Sequence, residues 1–166
     1  MADLLAIYLD DQLAAGVLWR ELARRAAGAE RGTPAGAALA QVATEIAEDV
    51  ETFERIMRRL GLRPGRVKPA LAIAAERVGR LKLNGRLRSR SPLSRFVELD
   101  VLVMGIEGKK VLWENLRDAA GLGQRLPDVD FAGLVARAGR QRDALEPHRL
   151  AAGRDAFQAD GSGRRR

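Results

Sequence analysis

The hydrophobic positions of this chain fall into four long stretches with helical spacing, separated by proline, glycine and polar turns. The first runs from about Asp3 to Ala27. In it Leu4, Tyr8, Asp11, Ala15, Leu18 and Leu22 recur at alternating steps of four and three, the stripe of a bundle helix. Gly28 and the polar run to Gly32 end it. Thr33-Pro34 opens the second stretch as a side-chain cap followed by a proline whose missing N–H costs nothing at the first helical position. Its apolar face carries Leu39, Val42, Ile46, Val50, Phe53, Met57 and Leu60, and Gly61 is a natural stop. Ser91-Pro92 opens the third, which reaches about Ala120. Its first half, around Phe96, Leu99, Leu102, Met104 and Ile106, is apolar on nearly every side, which predicts a central helix contacted from several directions. The fourth starts near Pro127-Asp128 or Asp130 and carries Phe131, Leu134, Val135, Ala138 and Leu145. Pro147 removes a helical hydrogen bond and is expected to kink or end it. Residues 153–166, ending GSGRRR, read as a frayed tail.

Between the second and third stretches, Lys68-Pro69 opens a shorter helix with Leu71, Ala74, Val78 and Leu81 on one face, followed by a polar loop at Asn84-Gly85 and RLRSRSP. This connection is long for an up-down bundle, so it is expected to cross the bundle. No strand-like alternation and no internal repeat occur. The expectation is an all-α chain, with a four-helix bundle over residues 1–152 and a long crossover over 63–95 that holds a short extra helix. A chain of 166 residues can bury such a core without covalent staples.

Composition agrees with a globular protein: 46% hydrophobic and 31% charged residues. There is no cysteine, which excludes disulfides, thiolate nucleophiles, Fe–S clusters and Cys-type zinc sites, and fits a reducing cytoplasm. Asp3, Asp10 and Asp11 stand where a signal peptide needs positive charge and an unbroken apolar run. No stretch reaches the roughly 18–20 apolar residues of a membrane-spanning helix. A cytoplasmic location is the expectation. Charge changes the picture more. Between Arg63 and Arg95 lie ten basic residues against one acid, Glu76, a net +9 in a chain whose total is +7. Arginine-rich composition follows GC-rich coding, but that bias does not explain such concentration.

Catalytic motifs are absent. No phosphate loop, dinucleotide fingerprint, HExxH or zinc-finger spacing occurs, and one histidine without cysteine leaves almost no material for a nucleophilic triad. What remains is carboxylates. By helical angle, Asp11 falls in the middle of the first stripe, and Glu21 and Asp10 lie on its flank. Asp49 flanks the apolar face of the second helix, whereas Glu48 and Glu51 point away. On the third, Asp100, Glu107 and Glu114 repeat every seven residues with Lys110 on the same side; on the fourth, Gln141, Arg142 and His148 interrupt the inward stripe. Inward acids on several helices are the raw material of a carboxylate metal site, and Asp11, Glu21, Asp49 and Glu107 are the candidate ligands of a transition metal. The structural alternatives are a buried acid paired with an arginine at Asp11 and helix-surface pairs with Lys110 at Glu107 and Glu114. Trp19 and Trp113 read as packing or subunit contacts.

The stretch ELARRAAGAERGTPAGAALAQVATEIAEDVETFERIMRRLG resembles the first hairpin of ferritin-like proteins. The third helix, SPLSRFVELDVLVMGIEGKKVLWENL, extends the resemblance to most of the chain at the level of helix order. The chain is similar to the small ferritin-like bundles of GC-rich bacteria. In that family a glutamate on the first helix and a Glu-x-x-His pair on the second help hold a di-iron centre. Glu21 matches the first; Glu48 and Glu51 stand at the pair, with glutamate in place of histidine, and no Glu-x-x-His occurs in the sequence. The resemblance therefore implies the fold together with a lost or altered metal site; the family's di-iron oxidase chemistry does not carry over, and a non-catalytic bundle is the expectation.

A binding module is the competing function. Arg77, Arg80, Lys82, Arg86, Arg88 and Arg90 are candidate anion-binding residues for nucleic-acid phosphates, anionic lipid headgroups or an acidic protein partner. Phe96 is the nearest aromatic, just beyond the segment, which argues against base stacking. The alternative is that these arginines pair with Glu45, Asp49 and Glu54 and hold the crossover on the bundle. A bundle that forms a homodimer, with no small-molecule site, is the third reading.

Overall fold

A computed structural model describes residues 4–63 and 91–162, with side chains up to Gln158. Four long helices, α1 (Leu4–Ala29), α2 (Pro34–Arg59), α3 (Pro92–Arg117) and α5 (Phe131–Ser162), are joined by the single turn α4 (Leu122–Arg125) between the last two. Among the described residues there is no strand. The short helix expected from Lys68 and the polar loop after it lie outside the described residues, as do Arg77, Arg80, Lys82, Arg86, Arg88 and Arg90.

The helix starts are those the cap residues dictate. Thr33 Oγ1 accepts the Gly36 N–H at 3.0 Å and Ser91 Oγ accepts the Ser94 N–H at 3.1 Å, each with proline next in the chain. Asp130 Oδ1 accepts from Gly133 N at 2.8 Å, so the later of the two expected starts for the last helix is the observed one. At the end of α2, Gly61 takes φ 76°, and the Leu62 and Gly61 N–H groups close back onto the Met57 and Arg58 carbonyls at 3.0 Å. Only glycine adopts that left-handed conformation cheaply.

Helices α1 and α2 form one hairpin and α3 and α5 another; the hairpins meet through α1 against α3 and α2 against α5. The core has two ends. One gathers Leu9 and Leu13 of α1, Phe53 and Met57 of α2, Trp113 and Leu116 of α3, and Phe131 at the start of α5. The other gathers Ala23 and Ala26, Leu39 and Val42, Leu99 and Leu102, and Leu145 and Ala152. Every adjacent pair of helices is therefore antiparallel, and the chain leaves α2 at one end and enters α3 at the other. Burying each such leucine contributes about 2 kcal/mol.

Three expectations change. The buried line of α1 is Leu9, Leu13, Val17, Ala23 and Ala26, so Leu4 is 79% exposed and Asp11 faces solvent. Apolar residues surround α1 almost completely at its start, so two stripes compete and packing selects one. Helix α3 is not enclosed: Met104 and Val111 are 65% and 51% exposed. Helix α5 runs through Pro147 to Ser162, with Ala152, Gly153 and Ala156 buried, where a tail was expected from residue 153.

Candidate functional site

Midway along the bundle, polar residues occupy core positions on three helices. Asp49 stands between Val42 and Ile56 at seven-residue steps on α2, Lys109 between Leu102 and Leu116 on α3, and Gln141 between Leu134 and His148 on α5. Seven residues are nearly two helical turns, so each points where Val42, Ile56, Leu102, Leu116 and Leu134 point on their own helices. Asp49 and Gln141 are buried, 2% and 1% exposed. The Lys109 ammonium donates to Asp49 Oδ2 and to Gln141 Oε1, and Gln141 Nε2 donates to Asp49 Oδ2 at 3.4 Å. Arg137 Nη1 reaches the other carboxylate oxygen, Oδ1, at 3.2 Å and Glu48 Oε2 at 3.0 Å.

Burial dominates the titration of Lys109 and pulls its ammonium below the usual lysine range of 10.5. The charge and hydrogen bond of Asp49 oppose that shift; the Arg137 cation adds to it, and Glu45 opposes it more weakly.

The cluster forms part of the floor of a groove between α1 and α3, a cavity of about 560 Å³. Small residues leave the space: Ala15 and Gly16 on α1, Gly105 and Gly108 on α3. Trp19 closes against Gly105, where an added Cβ would stand 2.6 Å from the indole ring. Deeper in, Trp113 is 1% exposed, its ring 5.8 Å from that of Phe53, and its Nε1 has no acceptor among the described residues. A buried unpaired donor costs about 1–3 kcal/mol. Met104 and Val111 form the outer rim on α3, and Tyr8 and Gln12 are the polar contributors from α1.

The four candidate metal ligands are not brought together. Asp11 is exposed; Glu21 takes a bidentate pair with Arg24 at 2.7 and 3.0 Å; Glu107 meets Arg142 at 3.5 Å. Asp49 alone is internal, and both its oxygens face cations. Among the described residues no group of three or more acids and histidines converges. This donor set does not fit a metal, because the ammonium and guanidinium already occupy the carboxylate and repel a further cation. Glu48 and Glu51, at the positions of the family pair, are respectively bound to Arg137 and exposed.

Apart from Arg63 and Arg95, the crossover arginines expected to pair with Glu45, Asp49 and Glu54 lie outside the described residues. Asp49 binds Lys109 and Arg137, and Glu54 binds Arg58 at 3.6 Å. Arg95, the last residue of the basic stretch, donates to the buried Glu30 at 3.0 Å and approaches Asp155 at 3.8 Å, tying the start of α3 to the α1–α2 turn. Asp100 pairs with Arg149 at 2.9 Å. Lys110 shares a side with the acids of α3 in the helical pattern, but the lysine that enters the bundle is Lys109. The signal was present: Lys109 lies in the heptad line of Leu102 and Leu116, and Lys110 does not. Among the described residues no helix is long and apolar enough to cross a membrane. Comparison with protein-family models, with curated proteins and with solved structures gave no match.

Proposed function

We propose that this chain is a ferritin-like four-helix bundle that has exchanged carboxylate metal chemistry for small-molecule binding, and that it holds a neutral, largely apolar molecule in the α1–α3 groove. The fold part of the reading is supported by the helix order, the antiparallel neighbours and the end-to-end connection between α2 and α3. The binding part rests on one observation. A cavity of about 560 Å³, in the usual range for small ligands, is lined by aromatic and aliphatic side chains with few polar groups. The charge at its floor is already balanced, Lys109 against Asp49, whose other oxygen is held by Arg137 from behind, so a neutral ligand suits the groove better than an ion.

The test uses the protein's own reporters. Trp19 and Trp113 are its only tryptophans and both line the groove. Titration with naphthalene is expected to give saturable quenching of their fluorescence, and Gly108→Leu, which fills the groove from α3, is expected to abolish it. No saturable response overturns the reading. Sedimentation showing a dimer that Met104→Asp dissociates would instead assign the groove to a second copy of the chain.

A second reading keeps its own support, the net +9 between residues 63 and 95. If that segment contacts phosphates, retention on heparin falls steeply with salt, and replacing Arg86 and Arg88 by alanine flattens the slope. Retention that ignores salt counts against it.

A further inference from the structure

The lysine at the groove floor has the surroundings of a reactive amine. A lysine becomes nucleophilic when apolar surroundings and a neighbouring cation disfavour its ammonium and a base is at hand to take the proton. Lys109 meets each condition. It lines the apolar groove, its side chain is only 13% exposed, Arg137 stands on the far side of the shared carboxylate, and Asp49 is in direct hydrogen-bond contact. The groups facing it are Asp49 and Glu45 from α2 and Arg137 and Gln141 from α5. Its chain neighbour Lys110 has none of these contacts and serves as an internal reference.

We infer that Lys109 forms a reversible imine with an apolar aldehyde or ketone bound in the α1–α3 groove. The ammonium gives its proton to Asp49, and the amine nitrogen adds to the carbonyl carbon. Asp49 returns that proton to the carbonyl oxygen. A second proton passes from nitrogen through Asp49 to the same oxygen, which leaves as water, and the third ammonium proton stays on Nζ of the resulting carbon–nitrogen double bond. No oxidant, reductant or further reactant enters. Gln141 and Arg137 hold the Asp49 carboxylate in place while the proton moves; they are positioning residues.

The inference rests on the groove being a ligand site, and the two ideas fail separately. The experiment incubates the full chain with naphthaldehyde, reduces with cyanoborohydride and locates the adduct by peptide mass spectrometry. The expected result is preferential labelling of Lys109 over Lys110 by at least tenfold at neutral pH, competed by excess naphthalene. Asp49→Asn is expected to slow labelling of Lys109 and leave Lys110 unchanged. Because that variant loses a buried pair, Gly108→Leu provides the second control, blocking access while retaining Lys109 and Asp49. Naphthalene binding with Lys109 labelled no faster than Lys110 overturns the imine and leaves the groove intact. Labelling of Lys109 that naphthalene does not compete overturns the placement of the aldehyde in the groove. Neither binding nor labelling overturns both.

Discussion

Asp49 is buried and two cations converge on it. Removing one member of such a pair strands the other in low dielectric, at a typical cost of 3–5 kcal/mol. Arg137 and Gln141 remain to compensate, so Lys109→Met is expected to cost about 3 kcal/mol in urea unfolding. Replacing both partners, Asp49→Leu with Lys109→Met, is expected to recover most of that loss, giving strongly non-additive values in a double-mutant cycle. Additive losses would mean that the contact does not couple the two. Lys109 also sets a pH dependence. Its folded-state pKa lies below the ordinary 10.5, so between the two values the unfolded chain binds more protons and stability from this group rises with pH. Below the folded value the contribution is a constant penalty. Raising pH through that window is expected to stabilise the natural protein relative to Lys109→Met; a flat difference would show that Lys109 titrates normally.

At the scale of elements, glycine sets how closely α1 and α3 approach. A Cβ at Gly105 would meet the Trp19 ring at 2.6 to 2.9 Å, so Gly105→Ala must push α1 and α3 apart or turn the indole. Overpacking of this kind costs about 1–3 kcal/mol. Gly139 on α5 has nothing within 4 Å of its added Cβ, and Gly139→Ala is expected to stabilise by up to about 1 kcal/mol through helix propensity alone. Thermal unfolding of the two variants should move in opposite directions; equal shifts would remove the special role of the Trp19–Gly105 contact. The capped helix starts were legible in sequence because a cap is a local event: Thr33, Ser91 and Asp130 each bond an amide three residues on. The stripe of α1 was not, because Leu4, Leu5, Ile7, Tyr8 and Leu9 offer apolar surface in several directions, and only the neighbours α2 and α3 choose among them.

For the whole molecule, the last turns of α5 decide how much chain the fold needs. Ala156 is buried, the Phe157 ring stands 5.3 Å from Phe96, and Asp155 approaches Arg95. Deleting residues 153–166 is expected to remove about 2 kcal/mol of apolar burial and lower Tm by about 5 °C. An unchanged Tm would return these residues to the role of a tail.

The sequence by itself determined the helical class, the starts of the long helices and the concentration of positive charge, since helical periodicity, caps and net charge are properties of neighbouring residues. Asp49 and Gln141 were legible as polar residues at or beside the apolar faces of their helices; Lys109 was not singled out, although it stands seven residues from both Leu102 and Leu116. Only the tertiary structure decided that these three meet and that both Asp49 oxygens face cations, which spoils a metal site. It alone placed Asp11, Glu21 and Glu107 on separate surfaces. The groove belongs to the tertiary structure as well: small residues on α1 and α3 become a cavity only when packing brings the two helices face to face.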